Sequence, residues 1–140
     1  MKFHFKKITI ILLSTMVLVF FSCKKKYEGS VSFITPANHA TVSSPVKIQM
    51  GIKGMKVQPA GAVVDGTGHH HIIIDGGAIP EGSIVPSDAN HKHFGDGSTE
   101  TSLELSEGSH TLTLQFADGA HKSYGPTWSS TIEITVQPAE

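Results

Sequence analysis

The sequence predicts an all-β fold, an immunoglobulin-like antiparallel β-sandwich, and three observations carry that expectation. Short runs rich in Val, Ile, Thr and Phe recur along the chain after residue 29, each bounded by Gly, Pro, Asn or Asp. No segment of that region keeps a helical period of apolar residues. Six or seven such runs in about a hundred residues match the strand density of a sandwich. The cysteine pair of antibody domains is missing, since Cys23 is the only cysteine.

The expected strands are Ser30 to Ile34, Val46 to Ile52, His69 to Ile74, Thr99 to Leu105, His110 to Phe116 and Ser130 to Gln137. Leu103 and Leu105 alternate with Glu104, and Leu112, Leu114 and Phe116 alternate with Thr111, Thr113 and Gln115, the period-two pattern of a half-buried strand. Glu107-Gly108 and Asp118-Gly119 mark turns, and the first is short enough to join its two flanking strands as a hairpin. The same parity turns His110 inward, where Gly-Ser-His-Thr-Leu reads as a turn-closing histidine bonded to backbone. Long loops remain at Gly54 to Gly68, Gly76 to Ser98 and Ala117 to Ser129.

The amino terminus carries an address. Lys2, Lys6 and Lys7 precede an apolar stretch from Ile8 to Phe21 that ends at Ser22-Cys23, the order of a charged region, an apolar region and a lipobox. That stretch is short for a membrane span. Residues 1–22 therefore read as a lipoprotein signal peptide, 23–29 as a lipidated tether with Cys23 as the attachment point, and 30–138 as the sandwich domain. The expected location is the cell envelope, on a membrane anchor facing the periplasm or the cell surface, with Lys24 to Lys26 against anionic headgroups.

Removing residues 1–22 leaves 118 residues, enough for one domain with its own core and too few for two. That part holds eight lysines, no arginine and all twelve acidic residues, a net charge of −4. Without a guanidinium there is no bidentate phosphate recognition, and nucleic acid is not an expected partner. An acidic surface around histidines favours cations.

Histidine supplies the chemistry. Three in a row open the third expected strand, Gly68-His69-His70-His71-Ile72-Ile73-Ile74-Asp75, and His91-Lys92-His93 follows in a glycine-rich stretch. On a strand His69 and His71 share one face with Ile73 and Asp75, while His70, Ile72 and Ile74 share the other. The first face is the more polar, so His70 is expected to point into the core and His69 with His71 outward, two residues apart and able to reach one ion. His91 and His93 join them if the long loop folds back, and His121 is a fifth candidate. Neutral imidazoles suit zinc or oxidised copper, so these two metals are the candidate cofactors. Met55 at a loop start either caps a copper site or fills the end of the sandwich, and His39 reads as a surface residue.

An ordered set of motifs also carries a resemblance. It comprises Gly54-Met55 with Pro59-Ala60-Gly61, Gly66-Thr67-Gly68-His69-His70-His71 with Asp75, and His91 with His93-Phe94-Gly95. Further along come Gly108, His110-Thr111-Leu112, Phe116-Ala117-Asp118-Gly119, His121 and Tyr124-Gly125-Pro126. From Val46 to Val136 the chain resembles a bacterial secreted or lipoprotein domain family of unknown function, family 4399. The resemblance implies a small exported β-domain and supports treating the histidines as a set.

Catalysis is the weaker expectation. A histidine pair on a sandwich strand is compatible with copper-zinc dismutase chemistry, and a hydrolytic zinc site would need Asp75 or Asp96 as base beside an open position. No Gly-x-Ser-x-Gly elbow is present. Two readings from different classes remain: an exported lipoprotein that binds copper or zinc for storage, delivery or resistance, and a metal-independent module that docks an envelope protein or glycan. In the second, Tyr124 and Trp128 around Gly125-Pro126 offer a stacking surface.

Overall fold

The computed structural model describes residues 27–138, and the expected signal peptide, Cys23 and Lys24 to Lys26 lie outside them. The chain is all-β, with nine strands and one short 3-10 turn among the described residues. The strands are β1 Ser30–Thr35, β2 Ala40–Ser43, β3 Val46–Lys53, β4 Lys56–Val57, β5 Thr67–Ile74, β6 His91–His93, β7 Glu100–Leu103, β8 Gly108–Ala117 and β9 Ser129–Gln137. One sheet runs β1-β3-β7 and is antiparallel as expected; the other runs β2-β9-β8-β5-β4, with β6 also paired to β5, and is mixed, because β2 lies parallel to β9 and β4 parallel to β5.

Alternation decides which strands form the inner faces. In β3, Val46, Ile48 and Met50 are buried between exposed Lys47 and Gln49, and in β9, Ile132, Ile134 and Val136 are buried between Glu133 and Thr135. With Val31, Ile72, Ile74, Leu112, Leu114 and Phe116 these side chains make one core between the two sheets. Met55 belongs to that core.

β5 and β8 depart from the pattern, because both of their faces are covered. Their pairing sets His70 opposite Phe116, Ile72 opposite Leu114 and Ile74 opposite Leu112 on the core side. His69 opposite Ala117, His71 opposite Gln115 and Ile73 opposite Thr113 lie on the other side. The loops after β5 and β8 fold over that second face and are tied down by its polar groups. Gln115 accepts from Ile79 N–H and donates to the carbonyls of Gly125 and Trp128, while Thr113 donates to Gly76 O at 2.7 Å. A strand with neither face in water is buried throughout whatever the polarity of its residues.

The expected hairpin across Glu107-Gly108 does not form. β7 pairs with β3 in one sheet and β8 with β5 and β9 in the other, so the turn carries the chain between sheets. Ser44 holds the departing chain beside β3, its hydroxyl bonded to Glu104 and accepting from Leu105 N–H. A short turn followed by a change of sheet leaves the same alternation on both flanks as a hairpin does. All six expected strands are in place as β1, β3, β5, β7, β8 and β9, and β2, β4 and β6 are additions.

Candidate metal centre

The site begins with the rigid pair. His69 and His71 project from the covered face of β5, both essentially buried, with ring centroids 4.8 Å apart and their Nε2 atoms 3.0 Å apart. β6 lies against the edge of β5 and sets His93 directly opposite His71. The His93 ring sits 5.0 Å from both the His69 and the His71 rings. One nitrogen from each of these three residues lies within 4.8 Å of the others, a group that can hold a metal ion.

His121 closes the cluster from the other side. The turn after β8 is built by Asp118, whose Oδ1 accepts from the N–H groups of Ala120 and Lys122, and whose carbonyl accepts from His121 N–H. His121 takes a φ of 65°, a conformation that costs a non-glycine residue energy and that persists only where surroundings enforce it. Its ring comes within 5.0 Å of His69 and 4.8 Å of His93, with Nε2 3.1 Å from His93 Nε2. Two buried imidazoles thus form the floor, while a half-buried His121 and an exposed His93 form the rim.

Two glycines shape this rim. A Cβ on Gly95 would collide with the His93 ring, so only glycine leaves that imidazole its place. A Cβ on Gly119 would collide with the Ala62 carbonyl, where the 58–66 loop docks on the His121 turn through Gly61 N–H to Gly119 O at 2.8 Å. Sequence alone marks neither position as functional, although Gly95 and Gly119 each stand two residues from a motif histidine. Asp118 carries the same signal, since it stands in an Asp-Gly turn three residues before His121.

The electrostatics favour neutral rings at His69, His71 and His93. Burial, then the neighbouring His93 and His121, pushes His69 down to about 4, with Asp118 pulling the other way. Burial, then His69, His93 and His121, pushes His71 down to about 3. Burial and His121 also lower His93, against the pull of Asp96. Neutral imidazoles carry the free lone pairs that metal coordination needs. The Nδ1 atoms of His69 and His71 are buried and without a hydrogen-bond partner, so their Nε2 atoms are the ones turned to the cluster.

Of the five sequence-predicted ligands, the structure brings His69, His71, His93 and His121 together and leaves His91 apart. His91 lies opposite Ile73, two residues before His93 on β6, and donates to Asp88 Oδ1 at 2.8 Å. His69 and His71 leave the core as expected but are not exposed, because the loops roof the face they occupy. His70 packs on Phe116 with both ring nitrogens unbonded. His39 is exposed, 3.7 Å from Glu133.

The remaining candidates have structural employment. Asp75 accepts from Thr111 N–H and from His110 Nδ1, and Asp96 caps Ser98. His110 Nε2 faces Ser106 Oγ at 3.2 Å, an arrangement that resembles a serine-histidine-aspartate relay. The same nitrogen lies 3.0 Å from the Ser106 carbonyl, which competes with the hydroxyl for it. The expected stacking surface is absent: Trp128 is a core residue, and Tyr124 packs against the core and donates to Thr67 O.

A family model described as Domain of unknown function (DUF4399) matches residues 48–137. No curated protein matches the chain, and no solved structure does.

Proposed function

The chain belongs to the DUF4399 family, and from the geometry of its site we propose that it is an exported, lipid-anchored protein that binds one zinc or copper ion through His69, His71, His93 and His121. The observation that carries this reading is the convergence of four imidazoles from two strands and a turn. A tetrahedral ion with bonds of about 2.0–2.1 Å needs ligand nitrogens about 3.3 Å apart, and a square one about 2.9 Å apart. The two Nε2 pairs, at 3.0 and 3.1 Å, fall between these limits. The wider spread across the triad, up to 4.8 Å, asks the rim rings to close by roughly 1.5 Å on binding.

A nitrogen-only set without thiolate suits zinc or oxidised copper and disfavours reduced copper. Storage, delivery or resistance are the roles that follow, since a rim ligand in contact with solvent lets an ion enter and leave. The two sheets are read as an immunoglobulin-like sandwich that supplies a rigid β5 beneath adaptable loops. The lipobox at Cys23 supports a place in the cell envelope.

The test is calorimetric titration of a soluble form beginning at Lys24 with zinc and with cupric ions. One saturable site per chain is expected, lost with His69→Ala and His71→Ala combined and strongly weakened with the rim variant His93→Ala. His91→Ala should bind within about twofold of the parent, less than 0.5 kcal/mol. Equal weakening by His91→Ala and His93→Ala would refute the assignment of ligands.

A further inference from the structure

The described chain enters the fold at the same end as the histidine cluster. Tyr27 rests on the 58–66 loop, its ring 3.1–3.2 Å from where a Cβ on Gly66 would stand, and its hydroxyl is hydrogen-bonded to Asp65. That loop bonds the two rim segments of the site, through Ala60 N–H to Gly95 O and Gly61 N–H to Gly119 O. Just after these two attachments, on the same loop, come Val63 and Val64, 62% and 42% exposed, and beside the His121 turn, opposite Lys122, sits Ile84, 56% exposed. These two adjacent apolar side chains stand in water on the loop nearest the chain's entry at Tyr27.

We propose that this end of the domain is a membrane-apposed face, with Val63 and Val64 entering the lipid headgroup region and the rim of the histidine site held at the bilayer surface. The proposal rests on the lipoprotein reading of Cys23 and identifies the surface that its anchor presents to the membrane. Chain length makes the argument quantitative. Four Cα steps separate Cys23 from Tyr27, at most about 14 Å when fully extended. The headgroup layer takes roughly 5–7 Å of that span. Tyr27, and with it the 58–66 loop, is left within roughly 8 Å of the headgroups, too close for the domain to turn another end toward the lipid.

Charge agrees with that orientation. Near the site end, Lys53, Lys56 and Lys122 stand among Glu28, Asp65, Asp96 and Asp118, a nearly balanced set, and Lys24 to Lys26 precede Tyr27 in the sequence. The opposite end sets only Lys47 against Asp75, Glu104, Glu107 and Glu133, an acidic surface that anionic headgroups repel.

The experiment uses the full chain carrying Val64→Trp, expressed in a bacterial host and extracted from its membranes. It is reconstituted in phosphatidylethanolamine–phosphatidylglycerol vesicles with brominated acyl chains. Intact mass reports the lipid on Cys23 independently of fluorescence. The added indole should lose most of its emission relative to unbrominated vesicles. Ile34→Trp, placed four residues along β1 and roughly 13 Å beyond Ser30, should keep its emission. Buried Trp128 gives a constant background that the parent chain measures. Hydrogen exchange of the unsubstituted chain provides the same contrast: amides 60–66 slow on vesicles and amides 104–108 do not. Quenching at both positions, or at neither, on lipid-bearing protein overturns the proposal. A chain without lipid on Cys23 overturns it together with the anchor on which it rests, and leaves metal binding by the soluble form untouched.

Discussion

Gly95→Ala separates the geometry of the site from the stability of the fold. A Cβ at position 95 collides with Cε1 and Nε2 of His93, and the obstructing group is the far end of an exposed side chain. The ring therefore swings away by roughly 1 Å or more, whereas a coordinate bond tolerates about 0.2 Å. Gly95 does not need a positive φ, so alanine fits its backbone. Fewer unfolded conformations then make the metal-free variant as stable as the parent or slightly more so, by about 0.4–1 kcal/mol. Loss of ligand positioning weakens affinity about 10- to 100-fold, or about 1.4–2.7 kcal/mol. At an ion concentration near 100 times the parent dissociation constant, binding stabilises the parent by about 2.7 kcal/mol and a thirtyfold weaker variant by about 0.9. For a domain of this size those figures correspond to melting shifts of roughly 11 and 4 °C. Calorimetric titration and paired thermal scans measure both quantities. Parental affinity in the variant, or a variant that melts far lower without metal, would refute the reasoning.

Three further outcomes are expected. His69, His70 and His71 all have folded-state values pushed well below 6.5, so the stability they supply is complete above about pH 6.5 and falls as acid protonates them in the unfolded chain. Urea melts of the metal-free domain should change little from pH 8 to 7 and weaken toward pH 4, at up to about 1.4 kcal/mol per pH unit for each imidazole; a flat profile would contradict their burial. His70→Phe removes two buried, unbonded ring nitrogens beside Phe116, and denaturant unfolding should show a gain of about 1 kcal/mol with metal affinity unchanged. Asp75→Ala strips partners from Thr111 N–H and His110 at the end opposite the cluster, costing about 1–3 kcal/mol in the same assay without altering titration of the ion.

Much of the β-framework was legible because alternation on β3 and β9 reports a buried face directly. The parity of His69 and His71 was legible for the same reason, since side-chain direction on a strand follows from position alone. Their burial was not: period two tells which face a residue occupies and nothing of what lies above it, and here the loops after β5 and β8 cover the polar side. The β6 pairing of His93 escaped notice because His-Lys-His has no apolar alternation and borrows its strand geometry from the β5 edge. His91 looked equivalent to His93 in sequence, and Asp88, three residues earlier, decides otherwise by holding its Nδ1. The missed change of sheet between β7 and β8 has the same origin, since local turn chemistry does not record which distant strand is the partner. The positive φ of His121 depends on hydrogen bonds around Asp118 that only the folded turn assembles.

The claim at the centre of this account is that one ion is held by imidazoles alone. X-ray absorption at the metal edge of the zinc- or copper-loaded protein tests it most directly. The expected result is a shell of about four nitrogens at about 2.0–2.1 Å with the multiple scattering of imidazole rings, dropping by one in His121→Ala. A shell dominated by oxygen, or one unchanged when His69 and His71 are removed, would contradict it.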